Sequence, residues 1–236
     1  MALIEITGND GEFVSGNDCS GDNTHKTNIA VLISGSGSNL QAVMDAVSNG
    51  TISNARVSLV ISNREGAYGL ERAKKNNIPN FVIKKDETLT LLDTLRTYKT
   101  NGVVLAGYLS ILPPDVVIAY KDKIINIHPA LLPAFGGKGF YGIRVHQAVL
   151  ESGERYTGAT AHLVDHGIDT GAILVQGVVP VLVGDTAEIL QKRVLEMEHI
   201  VLVHAVKALC ECTIGSLKKK PMILKNDDYE SKNEAG

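Results

Sequence analysis

The sequence predicts a single α/β domain built on a doubly wound, mostly parallel sheet, and three observations predict it. Short β-branched runs alternate with helical patterns between about residues 28 and 127. A glycine turn joins the first such run to the first helical pattern, and 44% hydrophobic residues in a chain of 236 suffice for one sizeable core. Taken in order, strands are expected near 28–33, 57–62, 80–83, 102–106 and 123–127, with helices near 38–49, 67–76 and 88–99. After residue 155 the pattern changes. Two strand-like runs, 158–164 and 173–183, extend the same sheet, and one long helix follows. That helix opens on Asp185-Thr186-Ala187-Glu188, with Asp185 as the expected cap and Glu188 reaching back to it. Val194, Glu198, Val201 and Ala205 share one helical stripe, so Glu198 should need a partner among its apolar neighbours. Residues 1–27 and 216–236 are polar and without apolar periodicity, and are expected to be tails on a domain spanning 28–215.

A net charge of −3 gives no field that favours a polyanion, so a small-molecule substrate is expected rather than a nucleic acid. The three cysteines, Cys19, Cys210 and Cys212, form neither a paired framework nor a metal signature and read as bystanders in a reducing compartment. The opening residues lack a basic and then apolar leader pattern, and no run approaches the roughly 20 apolar residues that span a bilayer. A cytoplasmic protein without a membrane partner, monomeric or homodimeric, is expected.

The run Ile29 to Ile33 passes through Ser34-Gly35-Ser36-Gly37-Ser38-Asn39 into a helical pattern from Leu40. Strand, glycine turn and helix N-terminus together make an anion site, because the exposed N–H groups and the helix dipole favour one phosphate. No Lys-Ser or Lys-Thr follows, so this is not a P-loop. Leu40 fills the third glycine position of a dinucleotide fingerprint, and the second strand does not end in an acid. A turn that merely reverses direction is the bland alternative.

Asn126 and His128 lie two apart at the end of an apolar run and therefore emerge on one face of a strand, with Pro129 and Pro133 fixing its exit. Strand ends at the carboxyl edge of such a sheet are where ligands bind. With Asp169 downstream in Gly167-Ile168-Asp169-Thr170-Gly171, an amide, an imidazole and a carboxylate become available to one carbonyl. Taken singly, His128 reads as structural and Asp169 as a capping turn residue. His162 reads first as a satisfied core histidine near the site, and none of His146, His166, His199 and His204 sits at metal-ligand spacing with acids or cysteines.

Taken together, Ser34 to Leu40, Val104-Leu105-Ala106-Gly107, Asn126 to Pro133, His162 to Gly171 and Glu196-Met197-Glu198-His199 resemble, in order and spacing, the phosphoribosylglycinamide formyltransferases. The resemblance covers about residues 28–210 and implies a Rossmann-like formyltransferase fold. It implies an enzyme that moves a formyl group from 10-formyltetrahydrofolate to the amino group of glycinamide ribonucleotide, with no metal. Asn126, His128 and Asp169 would surround the formyl carbonyl and the amine. Gly37, Ser38 and Asn39 would hold the ribose phosphate, and Glu198 the ribose hydroxyls. Leu109, Ser110, Ile111 and Leu112, with Asn126 and the loop Asp165, His166, Gly167, Ile168 and Asp169, would surround the pterin.

The chemistry agrees with that placement. Amine attack on the formyl carbon creates an oxyanion, which the Asn126 amide and a protonated His128 would stabilise at about 3–4 kcal/mol per donor. Asp169 would raise the imidazole pKa, so the rate should follow a group titrating near or above neutrality. The chain departs from the family pattern at Ser110, where many members carry Arg, in a shorter segment from Lys84 to Leu95, and in the glycine-rich run from Phe135 to Gly142. That last run reads either as a mobile cover, with Lys138 as an anion contact, or as an ordinary surface loop. Two rivals share the same three residues, a methionyl-tRNA formyltransferase and a formyltetrahydrofolate hydrolase. Neither a basic C-terminal barrel nor an N-terminal regulatory domain is expected beside residues 28–210. A non-catalytic sugar-phosphate binding module is the alternative from a different class.

Overall fold

The computed structural model describes residues 3–5, 26–84 and 90–226. In chain order the elements are β1 (Leu3–Glu5), β2 (Thr27–Ile33), α1 (Ser38–Ser48), β3 (Ala55–Ser62), α2 (Tyr68–Lys75), β4 (Asn80–Val82), α3 (Leu91–Thr97) and β5 (Gly102–Leu105). They continue as α4 (Pro114–Ala119), β6 (Ile124–His128), α5 (Ile143–Glu151), β7 (Tyr156–Leu163), β8 (Ile173–Pro180), α6 (Ala187–Cys210), α7 (Ile214–Lys219) and β9 (Met222–Asn226). One sheet joins all nine strands in the order β1-β9-β8-β7-β6-β5-β2-β3-β4. From β6 through β5, β2 and β3 to β4 the pairing is parallel, whereas β7 runs antiparallel to both β6 and β8.

The apolar residues of the parallel strands alternate between two cores. Ile29, Val31 and Ile33 of β2 join the cluster under α1, α2 and α6, while Ala30 and Leu32 join the one under α3 and α4. Burial on both faces is what the near-continuous apolar strands anticipate. Helices therefore cover both sides, as the doubly wound prediction requires. α6 lies against β7 and β8 through Leu190, Val194, Met197 and Val201, all 0–2% exposed. The helix approaches closely because Gly177 has no side chain. A Cβ there would stand 2.3 Å from the Met197 Sδ.

Several expectations are corrected. The stretch 216–236 is not a tail throughout, because α7 and β9 occupy its first part and β9 pairs in parallel with β8, burying Leu224. β1 likewise falls within the expected N-terminal tail and pairs with β9, while residues 6–25, with Cys19, lie outside the described residues. So do residues 85–89, where part of the Lys84 to Leu95 segment and the first two residues of the helix expected at 88–99 fall; α3 (Leu91–Thr97) supplies the rest of that helix. α4 and α5 were not anticipated. Cys210 is buried and free, but Cys212 is disulfide-bonded, against the expectation of bystander cysteines.

Asp185 does not cap α6. Thr186 does, accepting from the Ile189 N–H. Asp185 instead takes both terminal nitrogens of Arg193 in a fork, with both side chains under 10% exposed. Breaking a buried pair of this kind costs about 3–5 kcal/mol, more than the roughly 1 kcal/mol of a cap, so the tertiary partner wins.

Candidate active site

The C-terminal ends of β2, β3, β5 and β6 open into one cleft of about 1190 Å³. Every residue singled out from the sequence lines it: Gly37, Ser38, Asn39 and Glu198 in one part, Leu109 to Leu112 and Asp165 to Ile168 in another, and Asn126, His128 and Asp169.

The glycine turn forms the first wall. Gly37 adopts the left-handed conformation (φ 70°, ψ 31°) just before α1, and no side chain caps that helix. Its first N–H groups are therefore left to an anion. The turn is held from below by the Gly69 N–H donating to the Gly35 carbonyl (3.1 Å) and by Arg72 Nε donating to the Ser36 carbonyl (2.9 Å). Lys192 of α6 also lines the cleft and supplies a cation.

Glu198 has the partner its position demanded. Asn39 Nδ2 donates to its carboxylate at 2.7 Å, and among the described residues the buried Asn39 Oδ1 has no partner of its own. Burial pushes the Glu198 carboxyl up to about 7, against the opposing effect of that hydrogen bond. A carboxyl raised in the folded state stabilises the fold fully below its unfolded value of 4.5, and this contribution is lost as pH rises through 7. At about 1.4 kcal/mol per unit the loss is roughly 3 kcal/mol. Glu198→Gln stays neutral, so its unfolding free energy, measured in urea, is expected to gain on the wild type between pH 5 and pH 8. Parallel curves across that range would show that the carboxyl is not held in this way.

At the reacting centre Asp169 is the hub. Its Oδ2 accepts from the Gly137 N–H at 2.9 Å and lies 3.5 Å from His128 Nδ1, while its Oδ1 lies 3.5 Å from both Asn126 Nδ2 and His162 Nε2. It sits at φ 57°, the left-handed region that Asp tolerates better than most residues. Burial alone would raise its carboxyl. The pull of His162 and His128 when these rings carry a second proton, and the hydrogen bond from the Gly137 N–H, outweigh that and hold it below the usual carboxylate range.

His128, 4% exposed, pairs through Nε2 with the Phe135 carbonyl at 2.8 Å. A carbonyl only accepts, so Nε2 carries the proton and Nδ1 faces Asp169. His162 donates from Nδ1 to the Leu163 carbonyl (2.8 Å), which leaves its Nε2 to accept from Asn126 Nδ2 at 3.0 Å. The second hydrogen of the Asn126 amide makes the long contact to Asp169 Oδ1 at 3.5 Å, the weaker of its two bonds. Burial pushes the His128 pKa below the ordinary histidine value, and attraction to Asp169 and the bond to Phe135 oppose this without reversing it. The expected standing imidazolium is thereby corrected: desolvation outweighs the carboxylate, and His128 rests neutral near pH 7.

Sequence reasoning undervalued His162, although the antiparallel pairing of β7 with β6 sets it opposite Asn126. It missed His146, 1% exposed, which lines the cleft and is pushed down to about 4, chiefly by burial. The run from Phe135 to Gly142 proves to be a wall of the cleft, Lys138 included. Ser110 accepts from Asn63 Nδ2 (2.6 Å), and Ser34 bonds both Asn63 and the Leu109 N–H, so the loop after β5 is tied to β2 and β3. Among the described residues no group of three or more His, Cys, Asp and Glu is placed to hold a metal ion. No helix of the described residues is long and apolar enough to cross a membrane.

The family described as formyl transferase matches residues 27–206. The chloroplastic phosphoribosylglycinamide formyltransferase of Arabidopsis thaliana is 43% identical over 219 residues, covering 89% of this chain and 75% of that protein. The phosphoribosylglycinamide formyltransferase of Haemophilus influenzae is 38% identical over 199 residues, covering 81% and 90%. The crystal structure of the Anaplasma phagocytophilum phosphoribosylglycinamide formyltransferase superposes with a TM-score of 0.72 at 40% identity, covering 79% of this chain and 88% of that one. The chain belongs to the formyl transferase family and, within it, to the phosphoribosylglycinamide formyltransferases.

Proposed function

We propose that the protein transfers the formyl group of 10-formyltetrahydrofolate to the amino group of glycinamide ribonucleotide, a step of purine biosynthesis. The observation that carries this reading is the convergence on Asp169 of an amide, an imidazole and a backbone N–H, in the same cleft as an uncapped helix N-terminus. The ribose phosphate fits the α1 N-terminus with Lys192. The ribose hydroxyls fit Glu198 and the partnerless Asn39 Oδ1, which needs a donor. The exposed apolar side chains of Leu109, Ile111 and Ile168 suit the flat pterin.

The neutral amine attacks the formyl carbon, forming a C–N bond while the carbonyl oxygen becomes an oxyanion. The Asn126 N–H that makes the long contact to Asp169 and the Nε2–H of His128 turn to that oxygen, which takes over as acceptor from the Asp169 carboxylate and the Phe135 carbonyl. Asp169 faces the positive charge growing on the attacking nitrogen and, with His128 Nδ1, carries its proton toward N10 as the formyl–N10 bond breaks. Because His128 and Asp169 are both held below their ordinary values, kcat is expected to stay level above about pH 6.5 and fall only on the acid side. A limb centred above pH 7.5 in the saturated complex would contradict a neutral His128.

The direct test mixes purified protein with 10-formyltetrahydrofolate and follows loss of formyl-folate with and without glycinamide ribonucleotide. Loss that requires the ribonucleotide supports the transferase, and loss without it supports a hydrolase. No loss at all supports a binding module, and formylation of initiator methionyl-tRNA instead supports the tRNA enzyme. The reading includes a cytoplasmic site of action. The Arabidopsis relative is a chloroplastic enzyme, so cell fractionation decides between the two compartments.

A further inference from the structure

The antiparallel register places His128, Thr160 and Gln176 in one row, His128 opposite Thr160 and Thr160 opposite Gln176. The Thr160 side chain is fully buried, and its hydroxyl is saturated. It donates to the Ala130 carbonyl (2.6 Å) and accepts from the Leu132 N–H (3.0 Å) and from Gln176 Nε2 (3.0 Å). Gln176 Nε2 also donates to the Leu132 carbonyl at 3.0 Å. Neither residue lines the cleft.

The segment gripped in this way, Ala130 to Leu132, is the strut between His128 and the turn that serves it. The turn supplies the Phe135 carbonyl to His128 and the Gly137 N–H to Asp169. Leu132 touches it directly, since a Cβ on the intervening Gly136 would stand 2.4 Å from Leu132 Cδ2 and 3.4 Å from Asp169 Cβ. We infer that Thr160 and Gln176 are positioning residues for the reacting centre: a buried polar clamp that sets the turn, and with it the tautomer of His128 and the orientation of Asp169. Side-chain rotamers in such a row have little freedom. A loosened strut lets the turn drift, and a misplacement of about 1 Å at a reacting group can cost on the order of a hundredfold in rate.

The kinetic arm of the test rests on the proposed formyl transfer, and the spectroscopic arm does not. Thr160→Val keeps the shape and removes the hydroxyl, Thr160→Ser keeps the hydroxyl, and Gln176→Leu removes the second arm. Thr160→Val and Gln176→Leu are expected to lower kcat at least about tenfold with KM for the ribonucleotide within about twofold, and Thr160→Ser to stay within about threefold of wild type. In histidine-labelled protein without substrates, the ¹⁵N signals of His128 should show the Nε2–H tautomer in wild type and Thr160→Ser, and a mixture of tautomers in Thr160→Val. Wild-type kcat with an unchanged His128 spectrum in Thr160→Val overturns the inference, as does Thr160→Ser failing as badly as Thr160→Val. If Thr160→Val does not fold, Gln176→Leu, at a half-buried position, decides on the same two readouts. If the wild type transfers no formyl group, the functional reading fails, and the His128 spectrum alone decides the clamp.

Discussion

Asp169→Asn is expected to lower kcat by about two to four orders of magnitude, the range of a lost acid–base group, with little change in fold. The substitution keeps the shape but removes the charge on which three side chains and one N–H converge. With an amide in that place, nothing anionic faces the nitrogen that becomes positive during attack, and His128 Nδ1 loses the neighbour that favours its taking a proton. The acceptor for the Gly137 N–H survives in the amide oxygen, so the turn should remain in place. Rapid-quench turnover of the variant, beside its thermal melting curve, separates chemistry from stability. A variant within about fivefold of wild type would remove Asp169 from the proton route and leave the rate to orientation.

Gly37→Val is expected to act on binding rather than on the chemical step. At φ 70° a β-branched side chain is strained by about 1–3 kcal/mol. Its Cβ would also meet the Gly69 Cα at 2.7 Å, a backbone atom that does not swing aside. The start of α1 must then shift against α2, carrying its N–H groups off the phosphate. One lost hydrogen bond to a charged group is worth about 1.5–3 kcal/mol, so KM for the ribonucleotide should rise roughly ten- to a hundredfold. Steady-state kinetics with the ribonucleotide varied at saturating formyl-folate reads this out. An unchanged KM in a folded variant would move the phosphate elsewhere in the cleft.

The parallel half of the sheet was legible because each of its strands carries an uninterrupted apolar run bounded by turn residues, and Asn126 with His128 announced the strand end. Glu198 was legible as an acid stranded on an apolar stripe, though not its donor Asn39, which lies 159 residues away in the chain. α5 escaped notice because only Val145, His146 and Val149 face inward, behind a glycine-rich run that reads as loop. β9 follows three lysines and is short, and only its pairing with β8 makes it a strand. Asp185 followed a local capping pattern that Arg193, eight residues on, overrides. The protonation of His128 was misjudged for a physical reason: the sequence displays the charge of Asp169 but not the burial that outweighs it. The Phe135 carbonyl and the Gly137 N–H, which hold the two reacting side chains, are backbone groups and leave no mark in residue identity.

The reversal of direction between β6 and β7 makes the centre sensitive to parity. Asn126 and His128 on one strand meet His162 and Thr160 on the other, while Ala159, Ala161 and Leu163 turn to the opposite face and pack in the core beneath α6. Adding a single amino acid to β7 upstream of Thr160 would exchange the two sets, sending alanines to the imidazole and burying a histidine and a hydroxyl among valines. Adding two would return the polar set to its face but one pair along, with Thr160 opposite Asn126 and Gly158 opposite His128. Length variants of β7 should therefore fail in odd steps by face and in even steps by register, a rule set by the pleat rather than by the chemistry.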